Sequence, residues 1–441
     1  MRPHWRGPAA WLLVALGVRL ASLPAYPLTD PTEGRYADIA RRMLATGEWV
    51  VPYIDPTTPF WGKPPLSFWM TAASLRLLGL TEFAARLPSL VTAVGAAALL
   101  GVLAPAQGRG YAVRAAAVCM TSALVFVSAG TVETDPTLFF GITLAMVALW
   151  RRLEGGGVGW AYLAVAGVAI GLLAKGPIAL AITAIAVAGW AGATGRFRDA
   201  FASIPWLGAC ALLAALVLPW YVAAEVRSPG FLRYFLLGEH WQRFTVPGWQ
   251  GDLYGAGHAY PRGTIWIMAG LATLPWGLWL GARLATSTSA RDALRGQPLV
   301  PYLLAWSLAP VILFTPARNI LPAYVLPGLG AFAALVALAF DDSLAPPRRA
   351  VLGYLMPAVL AGALIAGADH LGARSERSMV AAYLRDRERH APPLLYLDRR
   401  PYSAAFYADD RVGRMTSLDA LAADPPPRAY VVVPVAAARR L

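Results

Sequence analysis

Charge is scarce in this chain. Asp, Glu, Lys and Arg make up only 14% of its 441 residues, against about 25% in an ordinary soluble domain, and that excludes a soluble globular protein. Cysteine is scarcer still, with only Cys119 and Cys210, both inside apolar runs, so a disulfide scaffold is excluded. Internal repeats, low-complexity tracts, and a G-x-G-x-x-G or P-loop in a strand-to-helix context are all lacking, which removes nucleotide-binding folds. What is present is apolar: 57% hydrophobic residues and a mean hydropathy of +0.51, far from the composition of a disordered chain. The chain reads as an all-α polytopic membrane protein. Its net charge of +13 then poses a question about membrane orientation and implies no nucleic acid partner.

A spanning helix needs roughly 20 mostly apolar residues. Eleven stretches qualify, near 8–27, 84–104, 112–130, 136–150, 158–174, 177–194, 204–224, 263–282, 299–315, 319–340 and 350–368. With the N-terminus (Arg2, Arg6) in the cytoplasm, the inner junctions carry Arg109 and Arg114, Arg151 and Arg152, Arg196 and Arg198, Arg283 with Arg291 and Arg295, and Arg348 with Arg349. Every one is basic, as the positive-inside rule requires, and the opposite registration violates all five. The N-terminal segment has no small-residue cleavage site and reads as a retained first span. An odd span count places the C-terminus outside.

Two outer loops, 29–83 and 225–262, are far longer than the rest, and loops of that length are usually functional. Within the first, 36–44 is an amphipathic helix with Asp38, Arg41 and Arg42 on its polar face. The segment 65–80 reads as an interfacial helix, because Ser67, Ser74 and Arg76 interrupt it and Trp69 suits the headgroup belt. The domain reading is a transmembrane catalytic domain over 1–368 followed by a small exported α/β module over 369–441. That module has a helix-like piece at 376–389 and strand-like pieces at 394–397 and 430–435.

The unusual polar residues sort to one side. Asp30, Glu33, Lys63, Glu133, Asp135, Lys175, His240, Arg243, Arg318 and Tyr324 all fall at outer span ends or in outer loops, and ionisable groups near membrane depth are functional candidates by default. Cations at headgroup level suit a phosphate, and a carboxylate beside them suits removal of a hydroxyl proton. Each residue also has a bland role: Asp30 or Glu33 as a helix cap, Lys63 and Arg318 as snorkelling cations, Asp135 before Pro136 as a helix start, Tyr324 as a belt aromatic.

The wording of four segments in the first loop is more specific. They are Thr29-Asp30-Pro31-Thr32-Glu33-Gly34-Arg35-Tyr36, Thr46-Gly47-Glu48-Trp49, Phe60-Trp61-Gly62-Lys63-Pro64-Pro65, and Phe83-Ala84-Ala85-Arg86-Leu87-Pro88. Further along stand Thr134-Asp135-Pro136, Ala174-Lys175-Gly176-Pro177, Glu239-His240-Trp241-Gln242-Arg243-Phe244 and Leu321-Pro322-Ala323-Tyr324. In this order and spacing they resemble the bacterial GT-C glycosyltransferases, the family of the lipid A aminoarabinose transferases and the protein O-mannosyltransferases. The resemblance runs over about 8–340.

The resemblance implies an inverting hexosyl- or pentosyltransferase that moves a sugar from a polyprenyl-phosphate donor to a lipid A-like lipid, a glycan or a protein. The reaction would take place at the outer, periplasmic face of a bacterial inner membrane. It implies a catalytic carboxylate in the first loop, here Asp30 or Glu33, with Asp135 as a second acidic position. It also implies a phosphate grip from Lys63, Arg243 and Tyr324; Lys175 and His240, which stand in matching segments, and Arg318, from its place on the outer face, are further cavity candidates. Relatives carry a Glu before the matching Lys, associated with a divalent metal and the histidine that His240 resembles. Gly62 stands there in this chain and weakens that metal, since one histidine without its carboxylate is a poor site. A lipid-linked substrate flippase is the rival reading, but it would place its charges near the midplane on interrupted, repeat-related helices.

Overall fold

The computed structural model describes residues 6–255, 257–340, 351–372, 374–386, 392–397, 400–409, 411–415, 417 and 429–433. Arg2, Arg348, Arg349 and the ends of the expected tail helix and strand (387–389 and 434–435) lie outside the described residues. Each of the eleven apolar stretches is helical over much of its length. In chain order the first half comprises α1 (Arg6–Ser22), α2 (Thr32–Thr46), α3 (Leu66–Leu78), α4 (Glu82–Leu103), α5 (Gly108–Thr121), α6 (Ala123–Ser128), α7 (Asp135–Leu153), α8 (Gly159–Lys175), α9 (Ile178–Thr194), α10 (Phe197–Ala202) and α11 (Trp206–Arg227). A 3-10 turn, Pro105–Gln107, joins α4 to α5. The second long loop follows, with α12 (Phe231–Arg233), a π-helical segment Tyr234–Gln242 and α13 (Arg243–Thr245). After it come α14 (Thr264–Ala272), α15 (Trp276–Thr286), α16 (Thr288–Leu294), α17 (Leu299–Phe314), a 3-10 segment Pro322–Gly328, α18 (Leu329–Leu338) and α19 (Leu352–Gly372).

Taken singly, α4, α7 and α11 are long and apolar enough to cross a membrane. The expected continuous span at 263–282 is instead two helices, α14 and α15, bent by 90°. Pro275 lies at the break, where it has no N–H for the ladder and its ring excludes the preceding turn. A second pair, α16 and α17, is bent by 91°. The stretch at 112–130 is likewise split at Ser122, and the two breaks meet: Ala123 N donates to Leu274 O at 2.8 Å, so each interruption satisfies a backbone group of the other. The stretch at 319–340 opens as a 3-10 turn and becomes α-helical only from Leu329.

The first loop folds back as α2 and α3 against α4. The expected polar face of α2 is not solvated. Asp38, Arg41 and Arg42 are all buried, and Asp38 takes Arg41 Nε at 2.8 Å and Arg42 Nε at 3.1 Å. The cover is the tail: α20 (Arg377–Asp386), β1 (Leu394–Leu397), α21 (Tyr402–Tyr407), β2 (Val412–Met415) and β3 (Tyr430–Val432). Its strands form a parallel sheet in the order β2-β1-β3, with a small core of Val380, Tyr383, Leu394 and Ala405. From that body α21 packs on α2.

At the centre, α7 lies between α4 and α8, and small residues let the backbones touch. A Cβ on Gly141 would stand 2.7 Å from Gly167 O, and one on Gly167 would stand 2.5 Å from Ala145 N. Close approach of this kind holds helices together where water offers no drive for association. Gly167→Leu should therefore force α7 and α8 apart and lower stability by about 1–3 kcal/mol or more. Thermal unfolding in detergent checks this against Gly362→Leu, where the added Cβ meets nothing within 4 Å and the melting point should hold.

Candidate active site

A cavity of about 520 Å³ opens where the first loop, the α6–α7 turn, the end of α8, the second long loop and the Leu321–Tyr324 turn converge. Lys63, Glu133, Asp135, Lys175, Glu239, Arg243 and Tyr324 all line it. A smaller pocket of about 80 Å³ shares Lys63, Lys175, Glu239, Arg243 and Tyr324 with it, and its further lining is His240, Asn319 and an apolar side of Leu138, Ile178, Ile182, Phe244 and Phe314.

Local sequence explains how each wall is set. α7 starts at Asp135 with Pro136 in its first turn, where the missing N–H costs nothing and an acidic residue suits the helix dipole. α8 ends at Lys175, and Gly176 turns the chain at φ +87°. A Cβ on Gly176 would meet the Phe235 ring at 2.5 Å and His240 Nε2 at 3.1 Å, so glycine is required both for the turn and for the approach of the π-helical segment. Behind the α6–α7 turn, the buried Arg19 of α1 donates to Phe126 O and Val127 O, both at 2.8 Å. Tyr26 Oη donates to Gly130 O at 2.6 Å.

The charges in the cavity are matched. Lys175 donates to Asp135 and places its Nζ 4.6 Å from the Tyr324 ring centroid. Lys63 Nζ lies 2.5 Å from Glu239 Oε1. Arg243 donates to both Glu239 oxygens, at 2.8 and 3.0 Å, and reaches Asp252 at 3.4 Å. Burial works against each of these charges, yet the mutual attraction prevails: Lys63 and Arg243 are held above their ordinary ranges by Glu239, and Glu239 is held below its own by the two cations.

Glu133 differs. Burial, and after it the neighbouring Asp135 carboxylate, push its carboxyl up to about 8, against the weaker pull of Lys175. Among the described residues it makes no ion pair. Sequence inspection noted Glu133 on the outer face without singling it out, and it passed over Glu239, Arg35 and Asp252. Glu239 had a usable signal, since it stands four residues before Arg243, the spacing of a helical ion pair.

Of the other expected residues, His240 lines the smaller pocket, whereas Asp30, Glu33 and Arg318 stand elsewhere. Asp30 and Glu33 do not line the cavity; the lining residues of that stretch are Pro31, Thr32, Arg35 and Tyr36. Asp30 accepts from Ser403 N at 3.1 Å and from Ser403 Oγ of the tail. Glu33 is buried in a two-pronged pair with Arg86 Nε and Nη2, both at 2.9 Å, and also accepts from Val132 N. With its lone pairs so occupied, it holds the loop to α4. Arg318 donates to Tyr260 O at an exposed position off the cavity. His240 faces two carbonyls, with Nδ1 2.7 Å from Phe235 O and Nε2 3.2 Å from Lys175 O. Burial lowers its pKa, Glu239 is committed to cations and Gly62 brings no ligand. No group of three or more His, Cys, Asp or Glu side chains suited to a metal occurs among the described residues, so the donor set does not fit the metal raised by resemblance.

A pocket with two clustered cations, a third beside an aromatic ring, and one protonatable carboxyl can hold a phosphate and accept a proton. Comparison with known proteins agrees in kind. The undecaprenyl phosphate-alpha-4-amino-4-deoxy-L-arabinose arabinosyl transferase of Edwardsiella ictaluri is 33% identical over 345 residues, which are 75% of this chain and 59% of that protein. This chain thus spans about three fifths of the length of such relatives. In fold it is similar to crystalline ArnT from Cupriavidus metallidurans bound to undecaprenyl phosphate, with a TM-score of 0.74 at 20% identity over 96% of this chain and 89% of the other. The oligosaccharyltransferase of Archaeoglobus fulgidus is a more distant likeness, with a TM-score of 0.52 at 13% identity over 94% and 64% of the two chains. Residues 12–235, half of the sequence, match the family described as dolichyl-phosphate-mannose-protein mannosyltransferase, and the chain belongs to that family.

Proposed function

We propose that this chain transfers a sugar, with inversion, from a polyprenyl-phosphate donor to a hydroxyl of a lipid, glycan or protein acceptor. The observation that carries this reading is the meeting in one cavity of Lys63, Arg243 and Lys175 with Glu133, a carboxyl pushed up to about 8. Undecaprenyl phosphate is the carrier best supported, being the carrier in the names of the relatives. Lys63 and Arg243 hold the donor phosphate, with Tyr324 and Lys175 beside it, and the apolar side of the smaller pocket, at Leu138 and Phe314, takes the first carbons of the lipid.

The chemistry follows from charge. The bond between the anomeric carbon and the phosphate oxygen breaks, and the electron pair leaves with the phosphate, where fixed cations in a water-poor pocket stabilise it. The acceptor oxygen attacks the opposite face, which inverts the centre, and its proton passes to Glu133. A carboxylate with a pKa near 8 is a stronger base than an ordinary glutamate, and it discharges its proton to water afterwards. Asp135, paired with Lys175, adds to the burial that keeps the Glu133 pKa high.

The site is proposed to lie on the periplasmic face of a bacterial inner membrane, with eleven spans, the N-terminus inside, and the domain division at 368/369. The five basic junctions support this orientation. So does the contact of the tail with the first loop through Asp30 and Ser403, which puts the tail and the cavity on one side.

Glu133→Gln should fold, bind polyprenyl phosphate and lose about 10²- to 10⁴-fold in turnover. In the parent protein kcat/KM should rise with pH through about 8, as Glu133 loses its proton; a rising limb that survives in Glu133→Gln would exclude it as the base. Stability supplies an independent readout. A carboxyl whose folded-state pKa lies above its unfolded value near 4.5 binds more protons folded than unfolded between those two values, so folding weakens as pH rises through that window. Glu133→Gln should accordingly melt higher than the parent at pH 8 and alike at pH 4.5.

Topology is checked by cysteine labelling in a Cys210→Ser background. Thr57→Cys, in the first loop, should react with a membrane-impermeant maleimide on intact cells. Asp292→Cys, in α16, should react only after permeabilisation, and its labelling on intact cells would reverse the orientation.

A further inference from the structure

The two cations assigned to the donor phosphate are already occupied by Glu239. Its carboxylate is nearly fully buried, it meets Lys63 Nζ at 2.5 Å and Arg243 Nη1 at 2.8 and 3.0 Å, and with Asp252 it cancels the charge of that cluster. A carboxylate held by two cations has the shape and charge of the phosphate edge that must later sit there. Resting on the transferase reading above, we propose that Glu239 is an internal competitor for the donor phosphate, which yields Lys63 and Arg243 when donor binds and reclaims them to expel the polyprenyl phosphate product.

The chemistry of the reaction makes such a competitor useful. The donor is a phosphodiester with one negative charge, whereas the product is a monoester carrying about −1.5 to −2 at pH 7. Two uncompensated cations in a low-dielectric pocket would bind the product more tightly than the donor, and turnover would stall on release. A tethered internal anion that competes for the same cations lowers affinity for both, and lowers it most for the more highly charged species. Glu239 also stands in the π-helical segment Tyr234–Gln242, a geometry that recurs at functional sites. Its neighbour His240 has its two ring nitrogens against Phe235 O and Lys175 O, and the neutral ring donates to one of them, which ties this part of the segment to its surroundings and leaves movement to the glutamate side chain.

The rival assignment is that Glu239 merely organises the two cations. The two assignments predict opposite signs. The experiment measures binding of sugar-free undecaprenyl phosphate to the purified full chain in detergent, together with steady-state transfer. Glu239→Gln keeps the shape and loses the charge; it should bind the lipid phosphate about tenfold tighter or more, lower KM for donor, and lower kcat through slow release. Glu239→Asp keeps the charge on an arm too short to reach both cations and should give an intermediate tightening, which reads the same question if the glutamine variant does not fold. Weaker or unchanged binding in the folded variants would make Glu239 an organiser and overturn the proposal. Failure of the parent protein to bind the lipid phosphate would instead overturn the transferase reading on which the proposal rests.

Discussion

A charge placed at the edge of an apolar helical bundle must bring its counter-charge with it, because unpaired burial costs several kcal/mol per ion. The architecture of this protein at its polar end follows from that constraint. Lys63 and Arg243 share Glu239, Lys175 takes Asp135, Arg86 takes Glu33, and Arg41 and Arg42 share Asp38. Three of these pairings join segments far apart in sequence: Glu33 lies 53 residues before Arg86, Asp135 lies 40 before Lys175, and Lys63 lies 176 before Glu239. Charge pairing, as much as apolar packing, therefore fixes how the first loop, the α6–α7 turn and the second long loop meet. The cavity is the space those pairs leave.

Much of this was legible in the sequence, for definite reasons. Asp135, Lys175 and Tyr324 each stand in a motif with a built-in geometric cue: Pro136 starting a helix, Gly176-Pro177 turning one, Pro322 opening another. Such cues place a residue at a helix end, and helix ends of one side converge. Asp30 and Glu33, where the base was expected, do not line the cavity, and nothing local tells a carboxylate near the start of α2 which way to face. Glu33 turns toward Arg86 and Asp30 toward Ser403, partners that lie outside any local window. The break between α14 and α15 had a visible marker in Pro275, but hydropathy averages over a window and cannot register a bend. The burial of Asp38, Arg41 and Arg42 depends on the tail covering α2, which no periodicity within α2 reveals.

The same constraint isolates Glu133. Every other carboxylate lining the cavity, Asp135, Glu239 and Asp252, is satisfied by a cation, and a satisfied carboxylate is a poor base because its charge is already stabilised. For Glu133, burial and a like-charged neighbour outweigh the pull of Lys175 and a hydrogen bond from Thr131, so its charged form is disfavoured in the folded state. A carboxyl raised in this way opposes folding as pH rises above the ordinary glutamate value, and shifts of this origin gather at functional sites. Among the described residues the cavity lining thus holds two kinds of acid: carboxylates paired with cations, which shape the cavity, and Glu133, which makes no ion pair and on which the proposed removal of an acceptor proton rests.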